Sequence, residues 1–320
     1  MLTLFCKQNR RISLPGDDME FGELLDGWLD FTRSRVKRST FATYRGVTER
    51  HIRPALGAMN TGELTVGDVQ KFLDLSADVY SPATIRVICH VLRAVFSYAS
   101  ALGLCRHFEG GIVTPKNERR EARTLNEAEQ RKLSDWLWLQ DGPAEFGILL
   151  CMGTGIRLGE ACGLRWGDVP RDRYIIYIRR TLQRLPVQDG SGKTALVFGP
   201  PKSASSARTV PVPASLHERL DRQRCDDDCY VLTGLETPME PRRFQSRFKA
   251  ALRASGVPDI NFHALRHTFA TNCVSLGCDA ATLARLLGHS DVAITLNTYV
   301  HPSFEAMRDI VDRNSARFPS

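Results

Sequence analysis

The stretch "RHFEGGIVTPKNERREAR" at 106–123 constrains this chain more than any other. It sets paired glycines, a proline and mixed charge between two long runs of helical periodicity, and neither run continues through it. A chain of 320 residues broken there is predicted to fold as two units, with 106–123 as the linker. Ahead of it, Phe21, Leu24, Leu25, Trp28 and Leu29 form one helical stripe. Ser39 or Thr40 can cap a second helix that ends near Pro54 and Gly57. Thr65 and Asp68 form a capping-box start to a third. Ser81 caps a fourth, with Pro82 at its first position and Ile85, Ile88, Leu92, Val95, Phe96, Ala99 and Leu102 at helical spacing before Gly103. Residues 1–18 read as a flexible arm, and 19–105 as a small helical domain.

Beyond the linker a helix starts at Asn126, with Glu129 three residues on. The segments 174–185 and 195–213 are β-branched, alternating and broken by Gly, Pro and Ser. They predict a small antiparallel sheet with a turn near Pro200–Ser206. Helices then resume. The fold class is mainly α, with that sheet in a C-terminal domain spanning 124–302 and a short helix and tail at 303–320.

Lys and Arg exceed Asp and Glu by 43 − 36 = 7, which suits a polyanionic partner. The excess is concentrated in Arg33, Arg35, Lys37, Arg38, Arg45, Arg50 and Arg53, among which Glu49 is the one acid. Most such runs are solvated helix faces. Here Tyr44, Thr40 and other hydroxyls are interleaved, a mixture suited to phosphate contact. Lys37, Arg38, Thr40, Tyr44 and Arg45 are the candidate DNA-binding residues. No apolar run is long enough to cross a membrane and no signal-peptide core opens the chain, so a cytoplasmic protein without membrane partners is expected. The 9 cysteines have no framework spacing and read as reduced thiols. Cys225 and Cys229 form one close pair, but no second pair with zinc-ligand spacing follows, and acidic turn residues at a strand edge are the better reading.

Five places carry candidate chemistry. "GTGIRLGE" puts Arg157 after two glycines at a helix start, with Glu160 one turn on. Lys202 sits in the predicted β-turn. "NFHALRHTFAT" sets His263 and Arg266 on one helical face, with His267 four residues from His263. "LLGHSD" presents His289 between two helices, and Tyr299 follows ten residues later. Singly, these are a salt-bridged arginine, a solvated lysine, core histidines and a packed tyrosine. The His263/His267 spacing would also suit zinc, but no third ligand of the usual kind follows and no Glu lies between them.

In chain order, Arg157, Lys202, His263-x-x-Arg266, His289 and Tyr299 resemble the pattern of the tyrosine recombinase (phage integrase) family. The flanking contexts "TGIRLGE", "HALRHTFAT", "LLGHSD" and "TLNTYVH" are similar too, and the resemblance spans roughly 19–312. One departure is the absence, in "GLCRHFEGG", of an Asn-Pro pair that relatives often carry before the linker.

The resemblance implies a helical core-binding domain, a catalytic domain and a site-specific DNA recombinase. Such an enzyme cuts and rejoins DNA through a 3′-phosphotyrosyl intermediate, without metal or other cofactor. It implies Tyr299 as nucleophile, Arg157 and Arg266 as phosphate clamps, His289 as a further donor, His263 as general base and Lys202 as general acid. His267 is expected to pack or to bond backbone. Partners implied are a double-stranded core site, a homotetramer on paired sites built from a free monomer, and an excisionase. The His289–Tyr299 spacing favours the integrase of a phage or transposable element over a chromosome-dimer or plasmid resolvase. A catalytically silent DNA-binding regulator is the alternative of a different class, and retention of all six positions argues against it. The short arm predicts no separate arm-binding domain. The apolar stripe Phe304, Met307, Ile310 and Val311 predicts a tail helix that docks on a neighbouring protomer.

Overall fold

The computed structural model describes residues 19–104, 111–114, 123–187, 193–201, 204–299 and 308. The arm at 1–18, most of the linker, Lys202 and the tail helix fall outside these residues. The chain forms two compact units, 1–120 and 121–320.

The first unit is helical. Helix α1 (Phe21–Arg33) buries Phe21, Leu24, Leu25, Trp28 and Leu29, the stripe read from the sequence. Helix α2 (Arg38–Val47) starts earlier than expected, at an extended Lys37 whose side chain makes no cap bond. Ser39 and Thr40 lie inside the first turn, and Lys37 offers its carbonyl to Phe41 N at 2.9 Å. Pro54 has no N–H to continue the ladder, and Thr48–Ile52 widens to a π-turn before the short α3 (Arg53–Leu56).

Helix α4 (Val66–Ala77) carries the reciprocal Thr65–Asp68 capping box. Helix α5 (Pro82–Ala101) is capped by Ser81, with Pro82 at its start. It ends before Gly103, whose φ of 69° favours glycine. Phe21, Leu25, Ile52, Val69, Ile88 and Leu92 meet in one core. Arg53 ties the unit together, bonding Gly22 O at 3.2 Å, Glu49 at 2.9 Å, and Asp26.

In the second unit, α6 (Glu127–Trp138) carries the Asn126–Glu129 capping box. Helix α7 (Pro143–Thr154) is apolar on almost every side and is buried accordingly. It stops at Gly155 (φ 65°), and Arg157, two residues later, is the N-cap of α8 (Leu158–Cys162). The strands are β1 (Ile175–Ile178), β2 (Thr181–Pro186), β3 (Thr194–Gly199) and β4 (Arg208–Pro211). They are antiparallel, as expected, but form two ladders: β1 pairs with β4 and β2 with β3. Between β1 and β2, Arg180 turns away to bond buried Asp168, which breaks the run.

Helices α9 (His217–Arg222), α10 (Pro241–Ala254), α11 (His263–Ser275), α12 (Ala280–Leu287) and α13 (Val292–Tyr299) complete the unit. Its core joins Phe146, Trp166, Ile176, Phe244, Phe248 and Leu265. Each such side chain, fully buried, contributes roughly 1.5–3 kcal/mol. Cys225 and Cys229 flank a turn closed by Cys229 N to Asp226 O at 2.9 Å. Among the described residues no group of three or more His, Cys, Asp or Glu could hold a metal, and no helix is long and apolar enough to cross a membrane.

Candidate active site

Four chain breaks converge in the second unit: the starts of α8 and α11, the α12–α13 junction and the head of β4. Each is a place where helix or strand ends leave side chains and backbone groups unpaired within the element itself.

Arg157 sits where α7 stops. Its backbone N–H and its Nη1 both bond Glu160, at 2.9 and 2.8 Å, and its Nη2 reaches Gly288 O at 3.2 Å. Glu160 is 3% exposed and is shared with Arg208, which holds both its oxygens at 3.1 and 3.0 Å. Arg208 also bonds Leu286 O at 2.6 Å, so β4 and α12 are fixed to the same carboxylate. Burial alone would raise the Glu160 pKa, but the bonds and charges of Arg208 and Arg157 outweigh it and hold the group ionised.

Arg266 is 2% exposed and spans the site. It bonds Gly155 O at 2.9 Å and Leu287 O at 2.6 Å, the carbonyls at the ends of α7 and α12. These neutral partners give it no counter-charge. Burial first, then the positive charges of Arg157 and Arg208, push its pKa down to about 9. Among the described residues, Arg157 and Arg208 thus share the Glu160 carboxylate, and Arg266 beside them has no ion pair.

His263 opens α11. Its pKa is pushed down to about 4, by desolvation first and then by His267, Arg266 and Arg157. The residue as a whole remains exposed, which tempers the first cause and leaves the charges. His289 is half-buried and its pKa is likewise pushed to about 4, by burial and then by the same arginines. Its Nδ1 bonds the fully buried Thr295 hydroxyl at 2.8 Å, which leaves Nε2 for a ligand.

Tyr299, at the end of α13, is half-buried against Phe269, Cys273 and Leu283. Its ring lies parallel to His289 at 6.4 Å. Burial raises its pKa, against the opposing pull of Arg266 and Arg157. Its hydroxyl bonds Nδ1 of His267 at 2.9 Å. His267 in turn meets His263 edge-to-face at 4.7 Å.

Of the six catalytic candidates, Arg157, His263, Arg266, His289 and Tyr299 come together. Lys202 lies outside the described residues. Sequence reasoning missed Arg208, Thr295 and the reach of His267. The expectation that His267 packs or bonds backbone is corrected: its ring nitrogen meets the Tyr299 hydroxyl. Among the described residues, His263 makes no side-chain hydrogen bond to Tyr299.

In the first unit Lys37 and Arg38 are exposed, while Thr40, Tyr44 and Arg45 are half-buried. Tyr44 bonds His90 at 2.9 Å and packs on Trp28. The basic run is less unbalanced than it reads, because α1 supplies Asp30 to Arg33 and Asp26 to Arg53.

Comparison with known proteins gives a consistent picture. The phage integrase family model matches residues 121–306, and the phage integrase N-terminal SAM-like domain matches 20–75. A tyrosine recombinase XerC-like protein of Caldanaerobacter subterraneus is 30% identical, covering 91% of this chain and 81% of that one. The tyrosine recombinase XerA of Pyrococcus furiosus is 26% identical over 78% of this chain and 80% of its own. The fold is shared with a Tn1549 transposon integrase in complex with transposon right end DNA (TM-score 0.77, 20% identity, 93% of this chain and 100% of that one). It is shared too with a lambda integrase tetramer bound to a Holliday junction (TM-score 0.65, 21% identity, 89% of this chain and 78% of that one).

Proposed function

The chain belongs to the phage integrase family, and from that premise we propose that it is a site-specific DNA recombinase of the phage or mobile-element type, with Tyr299 as its nucleophile. The observation that carries this is the cluster in which Arg157 and Arg208 pair with Glu160 and Arg266 bonds only backbone carbonyls among the described residues, beside a half-buried tyrosine. Such a cluster is short of negative charge, and a phosphodiester supplies it.

The reaction follows from the groups present. Tyr299 Oη attacks phosphorus, the bond from phosphorus to the 5′-oxygen breaks, and a 3′-phosphotyrosyl linkage remains. The linkage conserves the bond energy, so a freed 5′-hydroxyl can reverse the step on a new partner. Negative charge builds on the non-bridging oxygens as the phosphorus becomes pentacoordinate. Arg157 and Arg266 neutralise it with guanidinium donors, and His289 Nε2 adds another. Each preorganised donor is worth on the order of 3–4 kcal/mol in the transition state. Glu160 and Arg208 hold Arg157 in place. A tyrosine with a free pKa of roughly 10 must lose its proton during attack. The neutral histidines His263 and His267 stand beside it. Lys202 is assigned the proton for the departing 5′-oxygen.

The first unit is assigned the phosphate backbone of the core site, through Lys37, Arg38, Thr40, Tyr44 and Arg45. We further assign assembly as a homotetramer on paired sites, an excisionase as directional partner, and a cytoplasmic, nucleoid-associated location. A second reading, chromosome-dimer or plasmid resolution by the same chemistry, is favoured by the similarity to Xer recombinases.

Duplexes selected from a random pool by binding to the full chain, then remade with a nick beside the cleavage position, trap the covalent product. The wild type is expected to form the adduct and Tyr299→Phe to bind with similar affinity and form none. An adduct of equal yield from Tyr299→Phe would refute the assignment.

A further inference from the structure

The hydrogen bond between Tyr299 and His267 is a feature of the site to which no specific role has been assigned. The phenol oxygen lies 2.9 Å from Nδ1, an ordinary hydrogen-bond distance. The partners come from different elements, 32 residues apart, so the contact is not a by-product of helix geometry. His267 stands one turn after His263 on α11, next to Arg266, and its ring meets that of Tyr299 on α13. The His289 ring lies parallel to the Tyr299 ring at 6.4 Å. The thiols of Cys273 and Cys278, in the same apolar cluster, are held protonated by burial.

Burial first, and then Arg266, lower the His267 pKa, so the ring is neutral near pH 7. A neutral imidazole has one bare nitrogen. With the proton on Nε2, Nδ1 accepts the phenol hydrogen bond, and that arrangement suits attack. Among the described residues His263 makes no hydrogen bond to the phenol, and its ring lies edge-on to His267 at 4.7 Å.

We propose that His267 is a catalytic residue that holds the Tyr299 hydroxyl through Nδ1 and takes its proton as the tyrosine attacks the phosphate. This rests on the reading of Tyr299 as nucleophile. As the oxygen–phosphorus bond forms, the Tyr299 O–H bond breaks and its proton passes to Nδ1, leaving an imidazolium. The bond to the 5′-oxygen breaks in the same displacement, and that oxygen takes a proton from the general acid. On rejoining, the 5′-hydroxyl attacks phosphorus and returns its proton to the group that served as general acid, the phosphorus–tyrosine bond breaks, and the departing tyrosine oxygen recovers its proton from His267. His263, edge-on to that ring, is placed to stabilise the imidazolium orientation rather than to meet the phenol.

The test uses the full chain and the selected nicked duplex, with adduct formation followed in single turnover for wild type, His267→Ala, His267→Asn and Tyr299→Phe. Asparagine places an amide oxygen close to the position of Nδ1, so it can hold the phenol but cannot take the proton. Loss of the proton acceptor is expected to slow His267→Ala about 100-fold, with DNA affinity unchanged within about threefold. His267→Asn is expected to recover part of the rate and to remain about tenfold below wild type. The wild-type rate should fall as pH drops through a step below 6.5, and His267→Asn should lack that step, keeping only the steps near 4 of His263 and His289. Thermal unfolding of both variants, compared with wild type, excludes a folding defect; should alanine unfold the chain, the asparagine rate and pH profile decide alone. An adduct that needs Tyr299 yet forms at the wild-type rate in His267→Ala or His267→Asn overturns the inference only. An adduct that forms without Tyr299 overturns the nucleophile reading and the inference with it.

Discussion

Replacing Glu160 by glutamine changes one oxygen for one nitrogen, and the structure gives that change a large consequence. Glu160 accepts four bonds: from Arg208 at 3.1 and 3.0 Å, and from Arg157 at 2.9 and 2.8 Å. The carboxylate and Arg208 are 3% and 4% exposed, so water cannot replace the lost charge. Glutamine keeps one acceptor oxygen and turns an N–H₂ toward guanidinium donors. Removing one partner of a buried pair costs about 3–5 kcal/mol. A unit of this size loses about 2–4 °C per kcal/mol, so the midpoint should fall by about 10 °C. The released Arg157 should also slow adduct formation about 100-fold.

The assay is thermal unfolding of full-length wild type and Glu160→Gln, with and without the selected duplex. A bound phosphate restores counter-charge to the arginines, so the gap should narrow with DNA. The acid side gives a second check. The Glu160 pKa is lowered from 4.5, so its contribution to stability is complete above that value and is lost as pH falls through the lower folded value. Glu160→Gln should lack this limb. A variant within about 1 kcal/mol of wild type, or a gap that DNA leaves unchanged, would refute the reasoning.

Thr295→Val removes the partner of His289 Nδ1 and should slow cleavage about tenfold without weakening DNA binding, as single-turnover rates and gel shifts would record. The His289 pKa is lowered from 6.5 to about 4, so the unfolded chain takes up its proton first; the stability contributed by this group should decline as pH falls from 6.5 toward 4 and level off below it, read as the difference between urea titrations of wild type and His289→Gln at several pH values. Arg53→Ala removes bonds to Gly22, Asp26 and Glu49 and should destabilise the first unit by about 1–2 kcal/mol, read from the denaturation of the full chain. Lys37→Ala and Arg38→Ala should each lower the log–log salt slope of DNA binding by about 0.9, a drop that a helix face merely in solvent would not show.

What was legible in the sequence was mostly local. The Thr65–Asp68 and Asn126–Glu129 boxes, and Ser81 with Pro82, could be read because donor and acceptor lie within three residues. Ser39 and Thr40 misled for the same reason: a hydroxyl near a helix start signals a cap, but extended Lys37 fixed the boundary. The order of Arg157, His263, Arg266, His289 and Tyr299 was visible because each lies at an element end with a recognisable flank. Their supports were not. Arg208 reaches Glu160 across 48 residues, and His267 reaches Tyr299 across 32, so neither partner can be inferred from spacing. The basic run from Arg33 to Arg53 overstated its free charge because Asp26 and Asp30, just ahead of it on α1, pair with Arg53 and Arg33. The two β ladders, read as one sheet, depend on Arg180 choosing Asp168, again a tertiary event.

The central claim is that Tyr299 forms the bond to DNA. Mass spectrometry of the trapped adduct, digested with protease and nuclease, locates that bond directly. The account predicts a single nucleotide-bearing peptide, modified on Tyr299 and linked to a 3′-phosphate. A phosphate carried by Tyr174, Tyr230 or any residue other than Tyr299, or a 5′-linkage, would contradict it.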